Sequence, residues 1–186
     1  MKGRFFMENF RRMLGLEKLS VKKMCLLAML TAITAVLAIY CTLRVGNAIK
    51  IPLKFISVFV TAAIYGPVWG GVVGALGDIL NSFLVPVGPP LPQITAVEFL
   101  YGFVFGLFFY KKEKHYYINT VLCAFVLTVT DITLMSYILT GVGYFPSFAS
   151  AVSVRFTASV IKFVLYIAVC LILKKYLKSF ERIIMK

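Results

Sequence analysis

Six apolar runs, separated by short polar or proline-rich breaks, set the frame of this 186-residue chain. The first extends from about Met24 to Leu43, close to the ~20 apolar residues that a helix needs to cross a bilayer core. A shorter run over Leu53–Tyr65 is cut by Gly66-Pro67, and a third continues from Pro67 to about Leu84. These two therefore form a helical hairpin with almost no loop at its corner. Pro86, Pro89, Pro90 and Pro92 end the third run, because proline lacks the N–H donor and clashes with the preceding turn. The remaining runs lie over about Thr95–Tyr110, Ile118–Leu139 and Ala151–Leu173. The pattern predicts an all-α integral membrane protein, a bundle of six transmembrane helices.

Composition agrees with that pattern and charge orients it. The apolar fraction is 61% and the mean hydropathy +0.92, where soluble domains carry roughly 45–50% apolar residues. Fifteen of the twenty Lys and Arg residues fall in three clusters: before the first run (Lys2 to Lys23), between the fourth and fifth (Lys111, Lys112, Lys114), and after the last (Lys174 to Lys186). Cytoplasmic segments carry such an excess, so both termini are expected in the cytoplasm. The same placement argues against a nucleic-acid partner despite the net charge of +13. Residues 1–22 read as a basic N-terminal segment, an interfacial helix or tail in contact with lipid headgroups. Residues 23–178 form the membrane domain and 179–186 a basic C-terminal tail. Cys25, Cys41, Cys123 and Cys170 lie in or beside apolar runs and read as small hydrophobes, so neither metal nor cofactor is expected. No phosphate-binding Gly-rich loop, no Gly-x-Ser-x-Gly and no His-Glu-x-x-His is present, which leaves a binder rather than an enzyme.

Two features lie outside the cytoplasmic clusters. In the third run Gly66, Gly70, Gly74 and Asp78 recur every four residues, so on a helix they share one face. That face lets another surface approach closely and then offers it a carboxylate. The second feature is a set of ionisable groups: Arg44, Lys50, Lys54, Arg155 and Lys162 against Asp78, Glu98 and Asp131. Such groups cost about 2.5–3.5 kcal/mol each at bilayer depth and are normally kept for function. Arg155 and Lys162 are two helical turns apart and share a face with Ser159 and Tyr166. Five cations against three acids leave an excess suited to a ligand with about two negative charges. Asp78 fits a flat amino-heterocycle, whose amine and adjacent ring N–H would donate in parallel to a carboxylate. The alternative is that Asp131 and Asp78 only neutralise Lys162 and Arg155, while Lys54 and Glu98 snorkel to the interface. In the first run, Ala28, Thr31, Ala32, Ala35 and Ala38 form a stripe of small side chains, fit either for packing within the chain or for docking a second membrane subunit.

Taken together, six spans in under 200 residues, basic ends and Ala28-x-x-x-Ala32 resemble the substrate-binding S components of energy-coupling factor (ECF) vitamin transporters. The segments Arg44–Ile51, Gly66–Asp78 and Pro86–Thr95 are similar to those of the folate-specific members. This resemblance implies high-affinity folate binding, with docking through Ala28 and Ala32 onto a transmembrane coupling subunit that meets two ATPase subunits. It implies that Asp78 holds the pterin, and that Arg155 and Lys162, with Arg44 or Lys50, meet the carboxylates. Asn47, Gln93 and Tyr144 complete the expected substrate set. An S component for riboflavin, thiamine or pantothenate, or a membrane scaffold with internally paired charges, stays open as an alternative.

Overall fold

The computed structural model describes residues 13–15, 20–45, 49–85, 91–112 and 115–184, with backbone alone at 43–50 and 178–184. Six helices occupy these residues: α1 (Val21–Tyr40), α2 (Phe55–Tyr65), α3 (Pro67–Leu84), α4 (Pro92–Phe109), α5 (Tyr116–Gly141) and α6 (Phe148–Ile184). Their order follows the six apolar runs. Four of them, α1, α4, α5 and α6, are long and apolar enough to cross a membrane. By contrast α2, with 11 residues, spans only about 16 Å at 1.5 Å per residue, roughly half of a ~30 Å hydrocarbon core.

Before α2 lies a feature that the pattern of apolar runs does not announce. Residues Thr42–Val45 (β1) and Ile49–Pro52 (β2) pair as an antiparallel ribbon, with Thr42 opposite Pro52 and Arg44 opposite Lys50. The alternation Leu43, Val45, Ile49, Ile51 favours this, since β-branched and apolar residues suit a pleated surface with one buried face. Ile51 is almost completely buried. The first helix accordingly stops at Tyr40 rather than near Leu43. At the end of the second strand Ile51 and Pro52 line a cavity.

The α2–α3 corner turns on Gly66, whose φ of 101° belongs to glycine. From there the glycine ridge of α3 meshes with α4. Gly106 packs on Pro67, Gly102 on the Gly70 carbonyl, and a methyl at Gly74 would stand 2.7 Å from the Glu98 carbonyl oxygen. What the ridge admits is therefore a neighbouring helix, not a ligand. Gly77 faces the other way, against Thr34 of α1. The small-residue stripe of α1 splits in the same manner: Thr31, Ala35 and Ala38 are buried in the bundle, while Ala28 and Ala32 are exposed.

Below the ribbon an aromatic cluster fills the centre. Phe59 meets Phe105 and Phe109 edge-on at 5.5 and 4.9 Å between ring centroids, and Tyr166 closes on Phe55 at 4.9 Å. Edge-to-face pairs at these separations are favourable beyond their burial. They form the floor on which the polar site rests.

Candidate functional site

Lys54 and Asp78 stand at equal sequence distances from Gly66, one on each arm of the helical hairpin. A tight corner therefore brings them to the same height, and Lys54 Nζ donates to Asp78 Oδ1 at 3.2 Å. The same ammonium pairs with Glu98 Oε1 at 3.1 Å. Thr95, one turn before Glu98, donates to Asp78 Oδ2 at 3.0 Å, the last rung of the α3–α4 mesh. Both Lys54 and Asp78 are buried. Snorkelling therefore does not describe Lys54 or Glu98: the side chains are 9% and 14% accessible, and each meets an opposite charge within the protein.

The second cluster gathers on Asp131. Arg155 Nη2 donates to Oδ1 at 2.9 Å, and Tyr101 OH to the same oxygen at 3.0 Å. Ser159 Oγ donates to Oδ2 at 2.8 Å and Lys162 Nζ at 3.0 Å. The face shared by Arg155, Ser159 and Lys162 on α6 thus converges on one carboxylate. Asp131 opens a π-helical turn, Asp131–Met135, within α5. Such widened turns recur at functional sites, and this one directs Asp131 and Met135 toward the same cavity.

That cavity, about 190 Å³, is lined by Lys54, Glu98, Asp131, Arg155 and Lys162. Its apolar wall includes Ile51 and Pro52 of the ribbon, with Phe55, Tyr101, Phe105 and Tyr166. The charges divide into two poles. Asp78 and Glu98 around Lys54 carry a formal excess of one negative charge, whereas Arg155 and Lys162 around Asp131 carry one positive. Burying ions is costly unless they are paired and hydrogen-bonded, and here nearly every group is. The exception is Arg155 Nε, which is buried with no hydrogen-bond partner.

Of the residues expected from sequence, Arg155 and Lys162 come together at the cavity. Asp78 does not line it: the carboxylate lies behind Lys54, with both oxygens engaged. The expectation that Asp78 and Asp131 would divide Arg155 and Lys162 between them fails for the same reason, since Asp131 takes both cations and Asp78 takes Lys54. Gln93 is exposed; five residues before Glu98, it stands roughly 140° round the helix from it. Tyr144 is exposed in the turn between α5 and α6, 54% accessible, and does not reach the cavity. Arg44 and Lys50 are placed only as opposed backbone positions on the ribbon, and Asn47 lies outside the described residues. Lys54 and Glu98, counted among the charges but left out of the expected site, line the cavity; Tyr166 lies there too, on the face it was expected to share with Arg155 and Lys162, and Tyr101 is the group missed. The equal spacing about Gly66 was the available signal for Lys54.

Comparison with known proteins places this geometry. The family described as "ECF-type riboflavin transporter, S component" matches residues 18–179. The chain belongs to this family of ECF S components. Two relatives are named folate transporter FolT. The protein of Clostridium novyi is 30% identical over 117 residues, which cover 61% of this chain and 63% of the relative. That of Leuconostoc mesenteroides is 26% identical over 169 residues, covering 88% and 90%. Among solved structures, FolT bound with folic acid superimposes with a TM-score of 0.74 at 27% identity, over 83% of this chain and 93% of that one. As a member of a transporter family with several membrane-capable helices, this S component is a membrane protein.

Proposed function

We propose that this chain is the membrane-embedded folate-binding subunit of an ECF transporter in a bacterial plasma membrane. The observation that carries the reading is the two-pole cavity. One end presents the Glu98 carboxylate, suited to the amine and ring N–H of a pterin. The other presents Arg155 and Lys162, including a buried guanidinium N–H without an acceptor, suited to a glutamate carboxylate. Charged hydrogen bonds of that kind contribute about 1.5–3 kcal/mol each, enough to orient a ligand bearing opposite groups at its ends. Arg44 and Lys50, opposed on the ribbon, would extend the positive end toward the mouth. The cavity is smaller than the roughly 300–1,000 Å³ usual for small-molecule sites, so it would have to widen to take a ligand that reaches both poles. The likeness to proteins named folate transporters and to a folic acid-bound structure supports the same ligand.

The six helices would be six spans, with both termini and all three basic clusters on the cytoplasmic side and the ribbon outside. Ala28 and Ala32, exposed on α1, would dock the loaded subunit onto a transmembrane coupling subunit, and two ATPase subunits would drive inward release. The competing reading is riboflavin, the vitamin in the family description. Riboflavin has no carboxylate to meet Arg155 and Lys162, and its ring edge presents N–H between two carbonyls, which a carboxylate repels. Isothermal titration of the purified protein with folic acid and with riboflavin decides between them. Heat on folic acid alone is expected. Heat on riboflavin alone would transfer the assignment, and heat on neither would leave a scaffold whose charges serve only each other.

A further inference from the structure

Within the negative pole the two acids are not equivalent, and we infer that Glu98 is the ligand's acceptor while Asp78 is a positioning residue acting through Lys54. This rests on the folate reading above. Asp78 is fully committed: Lys54 holds Oδ1 at 3.2 Å and Thr95 holds Oδ2 at 3.0 Å. It lies behind Lys54 and lines no part of the cavity. Glu98 does line the cavity, and Lys54 meets only its Oε1, at 3.1 Å. A carboxylate has about four acceptor sites, so with one in use Glu98 retains the capacity to accept two parallel N–H donors.

Lys54 lies between the acids and its charge is shared. With Asp78 at 3.2 Å and Glu98 at 3.1 Å, the ammonium divides its charge between the two acids, and Glu98 keeps part of its negative character. Without the charge on Asp78, the ammonium would have only Glu98 to neutralise, and would compete with any donor arriving from the cavity. Asp78 therefore sets how strong an acceptor Glu98 is without touching the ligand. The pair also sets ring specificity. A charged carboxylate rewards two adjacent donors and penalises a ring edge that offers a carbonyl, because unmatched buried polar groups discriminate more sharply than missing apolar ones.

The test compares folic acid with its 2-deamino analogue, which lacks only the exocyclic amine, by titration of the full-length protein in detergent. The unsubstituted protein is expected to prefer folic acid by about ten- to a hundredfold, the range of one charged hydrogen bond. Glu98→Gln should abolish the preference, and it should stay abolished with Lys54→Met added. Asp78→Asn should reduce the preference, and adding Lys54→Met should restore it, because Glu98 is then released although Asp78 is still absent. A preference that survives Glu98→Gln would overturn the proposal. So would a preference lost in Asp78→Asn and not restored by Lys54→Met, which makes Asp78 itself the acceptor. Should the Lys54 variants fail to fold in a thermal melt, the two ligands measured on Glu98→Gln alone still decide. Loss of all folic acid binding by the unsubstituted protein would instead strike the folate reading, and folic acid binding without regard to the amine would strike only this one.

Discussion

At the scale of single residues, Arg155 makes two roles separable. Its Nη2 closes the ion pair with Asp131 at 2.9 Å, while its Nε is buried without a partner. An unmade hydrogen bond at a buried donor costs about 1–3 kcal/mol, and a ligand carboxylate beside the guanidinium would recover it. Arg155→Lys preserves the cation for Asp131 but removes the planar fork that meets a carboxylate at two points. Affinity for folic acid should fall about tenfold or more in this variant. Affinity for 6-methylpterin, which has no carboxylate, should stay within about threefold of the unsubstituted protein, well inside a single charged bond. Equal losses on both ligands, read by titration, would remove Arg155 from the tail end. The sequence disclosed Arg155 and Lys162 because a cation pair two turns apart stands out from an apolar helix. Lys54 was hidden for the opposite reason. It sits at the edge of a short run, where a lysine usually reaches for water, and its pairing with Asp78 and Glu98 shows only once the helices are packed.

Among elements, the α3–α4 contact holds the negative pole in place. Residues 66, 70 and 74 face 106, 102 and 98, and the next rung is the Thr95–Asp78 hydrogen bond. A periodicity of four on both helices made a close-approach face legible in the sequence. It could not say whether a helix or a ligand fills that face, because glycine records only that something comes near. The pairing of 42–45 with 49–52 was less legible still. Two four-residue strands so close in sequence resemble an ordinary loop until their register, Arg44 against Lys50, is known. Gly102→Ala tests the mesh. Its added methyl would run into the Gly70 carbonyl, backbone that no rotamer change can move, and overpacking of this kind costs about 1–3 kcal/mol. Gly141→Ala is the matched control, since nothing lies within 4 Å of a methyl there. Thermal melts followed by labelling of the buried thiols Cys123 and Cys170 should show early unfolding for Gly102→Ala only. Equal melting points for the two variants would mean that the helices separate readily at this crossing.

For the whole molecule, the decisive question is how a small bundle holding its ligand in one half of its height passes it onward. The two halves have different character. Toward the ribbon lie the buried charges, and toward the α2–α3 corner lies the aromatic cluster of Phe59, Phe105 and Phe109. On the function proposed above, release would depend on contact with the coupling subunit. On α1, Ala28 and Ala32 are exposed while Ala35, 5% accessible, and Ala38, 8%, pack inward. The small stripe thus serves the fold on one side and leaves Ala28 and Ala32 exposed for the outward contact proposed above. Small exposed residues in lipid gain little by themselves; they matter when a second helix comes close enough for van der Waals packing. Ala32→Trp places bulk on the outward face and should leave folic acid titration unchanged within about threefold, less than one charged hydrogen bond. Uptake of labelled folate in cells carrying the coupling and ATPase subunits should nevertheless fall to background. Ala35→Trp, by contrast, should fail at folding and lose binding as well. If Ala32→Trp transported normally, the outward stripe would be lipid-facing surface and the docking face would lie elsewhere on the bundle. If it lost binding together with uptake, α1 would be coupled to the cavity through Thr34, whose hydroxyl donates to Ser57 of α2 at 3.0 Å, and docking and ligand retention would be properties of one packed unit.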